Sequence, residues 1–229
     1  MSKVESLSIS AAVANRRSIR QFLDKPVSRE DVVEILEQAK RAPSGGNLQP
    51  WKVYVLAGEV RDRLVNTVAK KSATNPAGEG SEYAIYPPDL KDPYRTRRRE
   101  VGSDLYELIG IPREDKMAKF AQLAKNFEFF GAPVGLIFTI DRQMGLGQWA
   151  DLGMFMQNVM LLAKEKGLDT CPQEAWAVWY KTIAEIAEIP DEEVVFCGMC
   201  MGYADQSAVI NQLVSKRAEL AEFAILKGF

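Results

Sequence analysis

The segment 147–167, GQWADLGMFMQNVMLLAKEKG, constrains the fold more than any other stretch of the chain. Leu152, Met154, Phe155, Met156, Val159, Met160, Leu161 and Leu162 spread apolar side chains nearly all the way round a helix. A surface helix carries an apolar stripe on one side only, so this one needs cover on several sides. Gly153 lets a neighbouring backbone approach, and Gly167 suits the position just past the helix end. The cover comes either from the chain's own elements or from a second copy of the chain.

The elements available for that cover are legible in outline. PVSREDVVEILEQAKRAP predicts a helix opening at Ser28, with Asp31 three residues on as an imperfect capping box. Val32, Val33, Leu36 and Ala39 form its stripe. Further helices are expected over 8–16, 60–71 and 180–189, and strands over 51–57, 132–140 and 193–202. GLDTCPQEAW, 167–176, reads as a loop, and the tail from about 208 as a helix or an extension. Few strands with long helices between them give an α+β chain with a central sheet. With no repeat and no linker, residues 1–229 read as a single domain. The stretch from about 72 to 116 is rich in Pro, Gly, Tyr and charge without a clean period, the mark of a lid or insertion.

Charge and residue usage exclude several functions. A net charge of −2 gives no electrostatic support for nucleic-acid or membrane-surface binding. No apolar run approaches the roughly 20 residues of a membrane span. The N-terminal MSKVESLSIS has no apolar leader region, so the chain reads as cytoplasmic. Three cysteines argue against a disulfide framework. Cys197 and Cys200 have C-x-x-C spacing but lie in an apolar strand, where positions three apart point to opposite faces. They read as small buried hydrophobes rather than a metal or redox pair. The chain has no histidine, which removes Ser-His-Asp and Cys-His nucleophiles and His-ligated metals. If the chain is an enzyme, a cofactor carries the chemistry.

RRSIRQF, 16–22, crowds three arginines around Ser18. Crowded guanidinium groups call for an anion, and a phosphate matches their forked donors. A surface patch paired with carboxylates is the other reading. Together with RAPSGGNLQPW at 41–51, GLDTCPQEAW at 167–176 and NQLVSKRAEL at 211–220, this segment resembles the nitroreductase family of flavin mononucleotide (FMN) enzymes. Order and spacing agree over nearly the whole chain.

The resemblance implies a central, mainly antiparallel sheet flanked by helices, in an intertwined homodimer with two FMN sites at the interface. It implies that Arg16, Arg17, Ser18 and Arg20 hold the FMN phosphate and reach its ring, and that Arg217 is a second phosphate clamp. It places Pro43, Ser44 and Asn47 on the flavin from the partner subunit, and Cys171, Pro172 and Gln173 along the ring near N5. The residue types agree. Gly45 and Gly46 permit close backbone approach, and Asn47 both donates and accepts, as the pyrimidine edge of a flavin requires. Pro172 removes one backbone donor, leaving the Gln173 N–H for N5. The implied activity is ping-pong reduction of nitroaromatics by NAD(P)H, without metal.

Two other readings remain. One is reductive dehalogenation of the iodotyrosine type, for which Glu79 and Tyr83 supply part of a zwitterion grip. The lysine such a grip needs is missing: Lys91 is too near, and Asp104 stands at the expected place. The other is a flavin-binding module without turnover. Arg97 and Arg98, in RTRRRE at 95–100, either form a solvated helix face or meet a substrate carboxylate such as that of nitrobenzoate, with Tyr83 beside them.

Overall fold

The protein is described by a computed structural model over residues 7–229. Residues 1–6, part of the N-terminal stretch considered above, lie outside the described residues. Helix α1 spans Ile9–Asn15 and α2 Arg29–Ala39. Strand β1 (Trp51–Ala57) runs into α3 (Gly58–Ser72). Then come α4 (Tyr94–Leu108), α5 (Lys116–Ala124), β2 (Val134–Asp141) and α6 (Leu146–Glu165). Strand β3 (Asp169–Gln173), α7 (Tyr180–Ala187), β4 (Glu193–Gly202) and the short α8 (Leu220–Phe223) complete the chain.

The four strands form one antiparallel sheet in the order β1-β2-β4-β3. Helices cover both faces, so the two central strands are apolar on both sides. Leu136, Phe138, Cys197 and Met199 pack with α2 and α6. Ile137, Val195 and Cys200 pack with α3 and α7. Cys197 and Cys200 thus lie on opposite faces, as strand alternation requires, and all three cysteines are buried free thiols.

The Ser28 hydroxyl accepts the Asp31 N–H at 3.0 Å and starts α2 as expected. Helix α6 buries Leu152, Phe155, Val159 and Ala163 against the sheet and α2. Its cover is one-sided, however: Leu146 is 91% exposed and Met154 40%. Residues 169–173, expected as loop, are a strand instead. Strand β3 is at the sheet's edge, where Pro172 can sit without breaking a ladder bond. The lid region is not irregular throughout. It contains α4 and ends where α5 begins, and neither helix has a buried residue. Helix α4 lacks a clean apolar period because nothing in the same chain covers a full face of it, whereas α5 carries Met117, Phe120 and Leu123 at helical spacing and leaves them exposed.

Two local features fix the sheet's surroundings. A bulge between β2 and β4 pairs Phe138 with Cys197 and Thr139 with Val195, leaving Phe196 as the extra residue. Phe129 and Phe130 have φ of 50° and 52°, a left-handed conformation unusual for bulky side chains. Phe129 is held there because its ring stacks on Trp176 at 4.4 Å and lies against Gly135, where a Cβ would come within 2.5 Å of the ring.

Gly198 is open to a similar test, since a Cβ there would collide with the Trp176 indole. Trp176 is fully buried and cannot swing aside. Gly198→Ala should destabilise the fold by about 1–3 kcal/mol through overpacking, read as a lower midpoint in denaturant unfolding.

Candidate functional site

The arginine-rich segment lies along the outer edge of β3. The Ile19 N–H donates to the Thr170 carbonyl at 3.1 Å, and Ser18 forms a parallel bridge with Thr170. An edge strand has free backbone groups on its outer side, and here they anchor residues 18–19. Asn211 fixes the next two residues. Its Oδ1 accepts the Arg20 N–H at 2.7 Å, and its Nδ2 donates to the Gln21 carbonyl at 2.8 Å. Asn211 is itself buried, and it also donates to the Asp205 carbonyl.

The Ser18 hydroxyl and the charges of Arg16 and Arg20 act on the Cys171 thiol. The Cys171 thiol is held below its usual range by hydrogen bonding with Cys200, by the Arg20 and Arg16 charges and by the Ser18 hydroxyl. Burial pushes the neighbouring Cys200 thiol up. Among the described residues, none of Arg16, Arg17 and Arg20 has a carboxylate partner. Arg20 makes one side-chain hydrogen bond, to the Ser18 carbonyl at 3.1 Å. This is a donor set without an acceptor, and its chemistry fits a phosphate.

The second group is the loop that follows α2. Gly46, Asn47 and Gln49 have φ of 59°, 56° and 50°, so two non-glycine residues adopt the left-handed conformation. The turn is held from within by the Ser44 carbonyl, which accepts the Asn47 N–H, and the Ser44 hydroxyl, which accepts the Gln49 N–H. It is held from outside by Asp151 on α6, whose Oδ2 accepts the Gly45 N–H at 3.1 Å. Pro43, Asn47 and Gln49, with Lys40 and Arg41, line a cavity of about 410 Å³. Among the described residues, no hydrogen bond or ion pair joins this loop to Arg16–Arg20 within one chain.

The other expected residues are placed as follows. Cys171 and Gln173 are buried in β3, and Pro172 is half-buried between them. The Gln173 backbone faces the Cys197 thiol, which burial raises above its usual range. The Gln173 Nε2 donates to the Asn126 carbonyl at 2.8 Å, while its buried Oε1 has no partner among the described residues. Arg217 is exposed and curls onto its own backbone, donating to the Ser215 and Lys216 carbonyls. It borders a cavity of about 340 Å³ against α4 rather than the 16–20 segment.

In the lid, the Tyr83 hydroxyl donates to the Phe196 carbonyl at 2.6 Å and lies 3.1 Å from a Glu174 carboxylate oxygen. Burial, then the Glu174 charge, raises the Tyr83 phenol well above its usual range. Glu79 accepts from the Thr182 N–H and hydroxyl and from Lys71. Both residues are therefore engaged within the chain. Arg97 pairs with Glu222 at 2.8 Å, and Arg98 lies 3.9 Å over the Tyr86 ring.

Sequence reasoning passed over Asn211 and Asp151. Asn211 acts on residues 190 positions away, and no local pattern announces such a contact. Asp151 did carry a signal: a carboxylate within the apolar helix, only 7% exposed, needs a donor nearby.

The chain is similar to known proteins over most of its length. A family model described as the nitroreductase family matches residues 13–203. The chain is 41% identical over 211 residues to a nitrobenzene nitroreductase of Ectopseudomonas oleovorans, covering 92% of this chain and 93% of the relative. It is 39% identical over 219 residues to a 4-nitrobenzoate reductase of Pseudomonas putida, covering 96% and 95%. Its structure superposes with a TM-score of 0.95 on the FMN- and NADPH-dependent nitroreductase NfnB of Sphigopyxis sp. strain HMH. That pair is 44% identical over 97% of this chain and 100% of the other.

Replacing Arg16 or Arg20 by Ala should weaken FMN binding about ten- to hundred-fold, the loss expected for charge-assisted bonds of about 1.5–3 kcal/mol. Fluorescence titration of the apoprotein measures it. Asp151→Ala leaves the Gly45 N–H unpaired and should speed FMN release while leaving the Arg16–Arg20 segment in place.

Proposed function

The chain belongs to the nitroreductase family, and from that premise we propose that it is an FMN-dependent NAD(P)H oxidoreductase that reduces nitroaromatic compounds, neutral and carboxylated alike. The observation that carries this reading is the set of Arg16, Ser18 and Arg20 along the edge of β3, rich in donors and, among the described residues, without a counter-anion. FMN held there would supply the redox chemistry, ping-pong hydride transfer between NAD(P)H and the nitro compound.

The chain's own part is binding and orientation. Arg16, Arg17, Ser18 and Arg20 hold the phosphate, whereas Arg217, expected as a second clamp, stands against α4 within one chain and is left out of this set. Cys171, Pro172 and Gln173 flank the ring at the sheet edge. Pro43, Ser44 and Asn47 reach it from a second copy of the chain, which explains why the two groups do not meet within one chain. Positioning of this kind lowers the barrier by fixing donor and acceptor in reacting geometry. No step asks for a side-chain nucleophile, in keeping with the absence of histidine.

The homodimer in this reading is supported by apolar surface that one chain leaves uncovered. Leu146 and Met154 on α6 are exposed, as are Leu220, Phe223, Ile225, Leu226 and Phe229 of the tail. Each large side chain buried on pairing contributes about 1.5–3 kcal/mol. No described helix is long and apolar enough to cross a membrane, so the exposed surface does not belong to a helical membrane span. The halotyrosine reading loses its grip residues, because Glu79 and Tyr83 are bound to Thr182, Lys71, Phe196 and Glu174.

Under anaerobic conditions, the FMN-loaded protein should oxidise NADPH or NADH when nitrobenzene or 4-nitrobenzoate is supplied, and at least about ten-fold more slowly with 3-iodotyrosine, a difference of about 1.4 kcal/mol in barrier. Rapid iodide release with slow nitro reduction would reverse the assignment. Removing residues 219–229 should shift the protein toward monomer in light scattering and shed flavin. A stable, flavin-loaded monomer would refute the dimeric site.

A further inference from the structure

Strand pairing sets two of the buried thiols opposite each other. Cys171 on β3 is the register partner of Cys200 on β4, and both side chains lie in the core cluster on the α3 and α7 side of the sheet. Their contact is direct, since the Cys200 thiol donates to the Cys171 carbonyl at 3.6 Å. Cys197 has no share in it, because it packs on the other face and donates to the Gly198 carbonyl at 3.0 Å. The C-x-x-C spacing of the sequence therefore marks one pair, and the fold assembles another, 29 residues apart.

The backbone fixes the separation of the assembled pair. Thr170 turns its carbonyl outward, to the Ile19 N–H. Backbone groups alternate in direction along a strand, so those of Cys171 point inward to β4. Cys171 and Cys200 are then a hydrogen-bonded antiparallel pair, with Cα atoms about 5.5 Å apart. That matches the commonest Cα separation across a disulfide, about 5.5–6 Å. Closing an S–S bond draws the Cβ atoms in to about 3.8 Å. Strand β3 can make that move because it is the edge of the sheet, with only the 18–19 segment beyond it.

The two thiols are unequal. Hydrogen bonding with Cys200, then the Arg20 charge and the Ser18 hydroxyl, holds the Cys171 thiol below its usual range. Burial pushes the Cys200 thiol up. Ser18, Arg16 and Arg20 are only half-buried, so a water-sized oxidant has one layer of side chains to pass before it meets Cys171. The more acidic thiol reacts first with a peroxide, and the other resolves the product.

We propose that Cys171 and Cys200 are a peroxide-sensitive dithiol that closes to a reversible cross-strand disulfide. In the first step the Cys171 sulfur attacks one oxygen of hydrogen peroxide and the O–O bond breaks. Cys171 becomes a sulfenic acid, oxidised by two electrons, and the departing hydroxide takes the thiol proton as water. In the second step the Cys200 sulfur attacks the Cys171 sulfur and the S–O bond breaks. The hydroxide released takes the Cys200 proton as a second water. Two thiols and one peroxide thus give one disulfide and two waters, and no step calls on the flavin.

The test treats the full-length protein with hydrogen peroxide, then denatures it and counts the thiols that alkylate. The three free thiols should fall to one, and dithiothreitol should restore them. Peptide mapping without reductant should join residue 171 to residue 200. Cys171→Ala should give no such link, and Cys197→Ala should leave its yield unchanged. In Cys200→Ala, where the resolving thiol is gone, dimedone should capture a sulfenic acid at Cys171. Thermal midpoints check that each variant is folded, and the wild-type mapping decides the matter without them. Three thiols still alkylating after peroxide, a link that includes Cys197, or dimedone on Cys197 in place of Cys171 would overturn the proposal.

Discussion

The rest of the molecule depends on the burial of α6. Its apolar side, Leu152, Phe155, Val159 and Ala163, seals one face of the sheet, and each large side chain so buried contributes about 1.5–3 kcal/mol. Its polar residues then reach outward and tie down other elements. Asp151 holds the Gly45 N–H, Asn158 donates to the Ala39 carbonyl at the end of α2, and Lys164 pairs with Asp169 at the start of β3 at 2.7 Å. Both halves of the candidate site are therefore referenced to one rigid cylinder. The loop at 44–49 is set from its first half and strand β3 from its last turn. A helix with a weaker apolar side would leave both halves without a common frame.

What was legible in the sequence follows from the range of the forces involved. Strand β4 was expected over the residues it occupies, and α2 begins at its Ser28 cap, because alternation and capping act within a few residues. The crowding of cations at 16–20 was legible because it is a feature of the local sequence. Strand β3 was missed because Pro172 argues against a strand unless the position is known to be an edge, and edge position is a property of the whole sheet. The clamp of Asn211 on Arg20 was missed for the same kind of reason. The solvated helix face read at 95–100 does lie in α4, but the rest of α4 and all of α5 were missed because neither helix has an apolar side buried within its own chain.

The pattern of neutralised and unneutralised cations separates scaffold from ligand surface. Lys52 reaches the buried Glu193 carboxylate, which also accepts from Tyr54 and Thr139. Arg142 pairs with Glu82, Lys71 with Glu79 and Lys164 with Asp169, each joining two elements of the fold. Among the described residues, Arg16, Arg17 and Arg20 join nothing of opposite charge. In a chain with a net charge of −2 carboxylates are plentiful, so cations kept apart from them are available to ligands.

The left-handed backbone at Phe129 carries a consequence for how this sequence can vary. Phe129 retains an unfavourable backbone only because its ring occupies the space that Gly135 leaves open beneath Trp176. Neither residue is therefore free to change alone. A side chain added at 135 evicts the ring, and loss of the ring at 129 leaves both a void and a backbone with nothing to hold it. The two positions form an epistatic pair whose double substitution should be less harmful than the sum of the singles. Divergence at this corner of the sheet is then expected to proceed by paired replacement, with 129 and 135 covarying although neither touches the arginine edge.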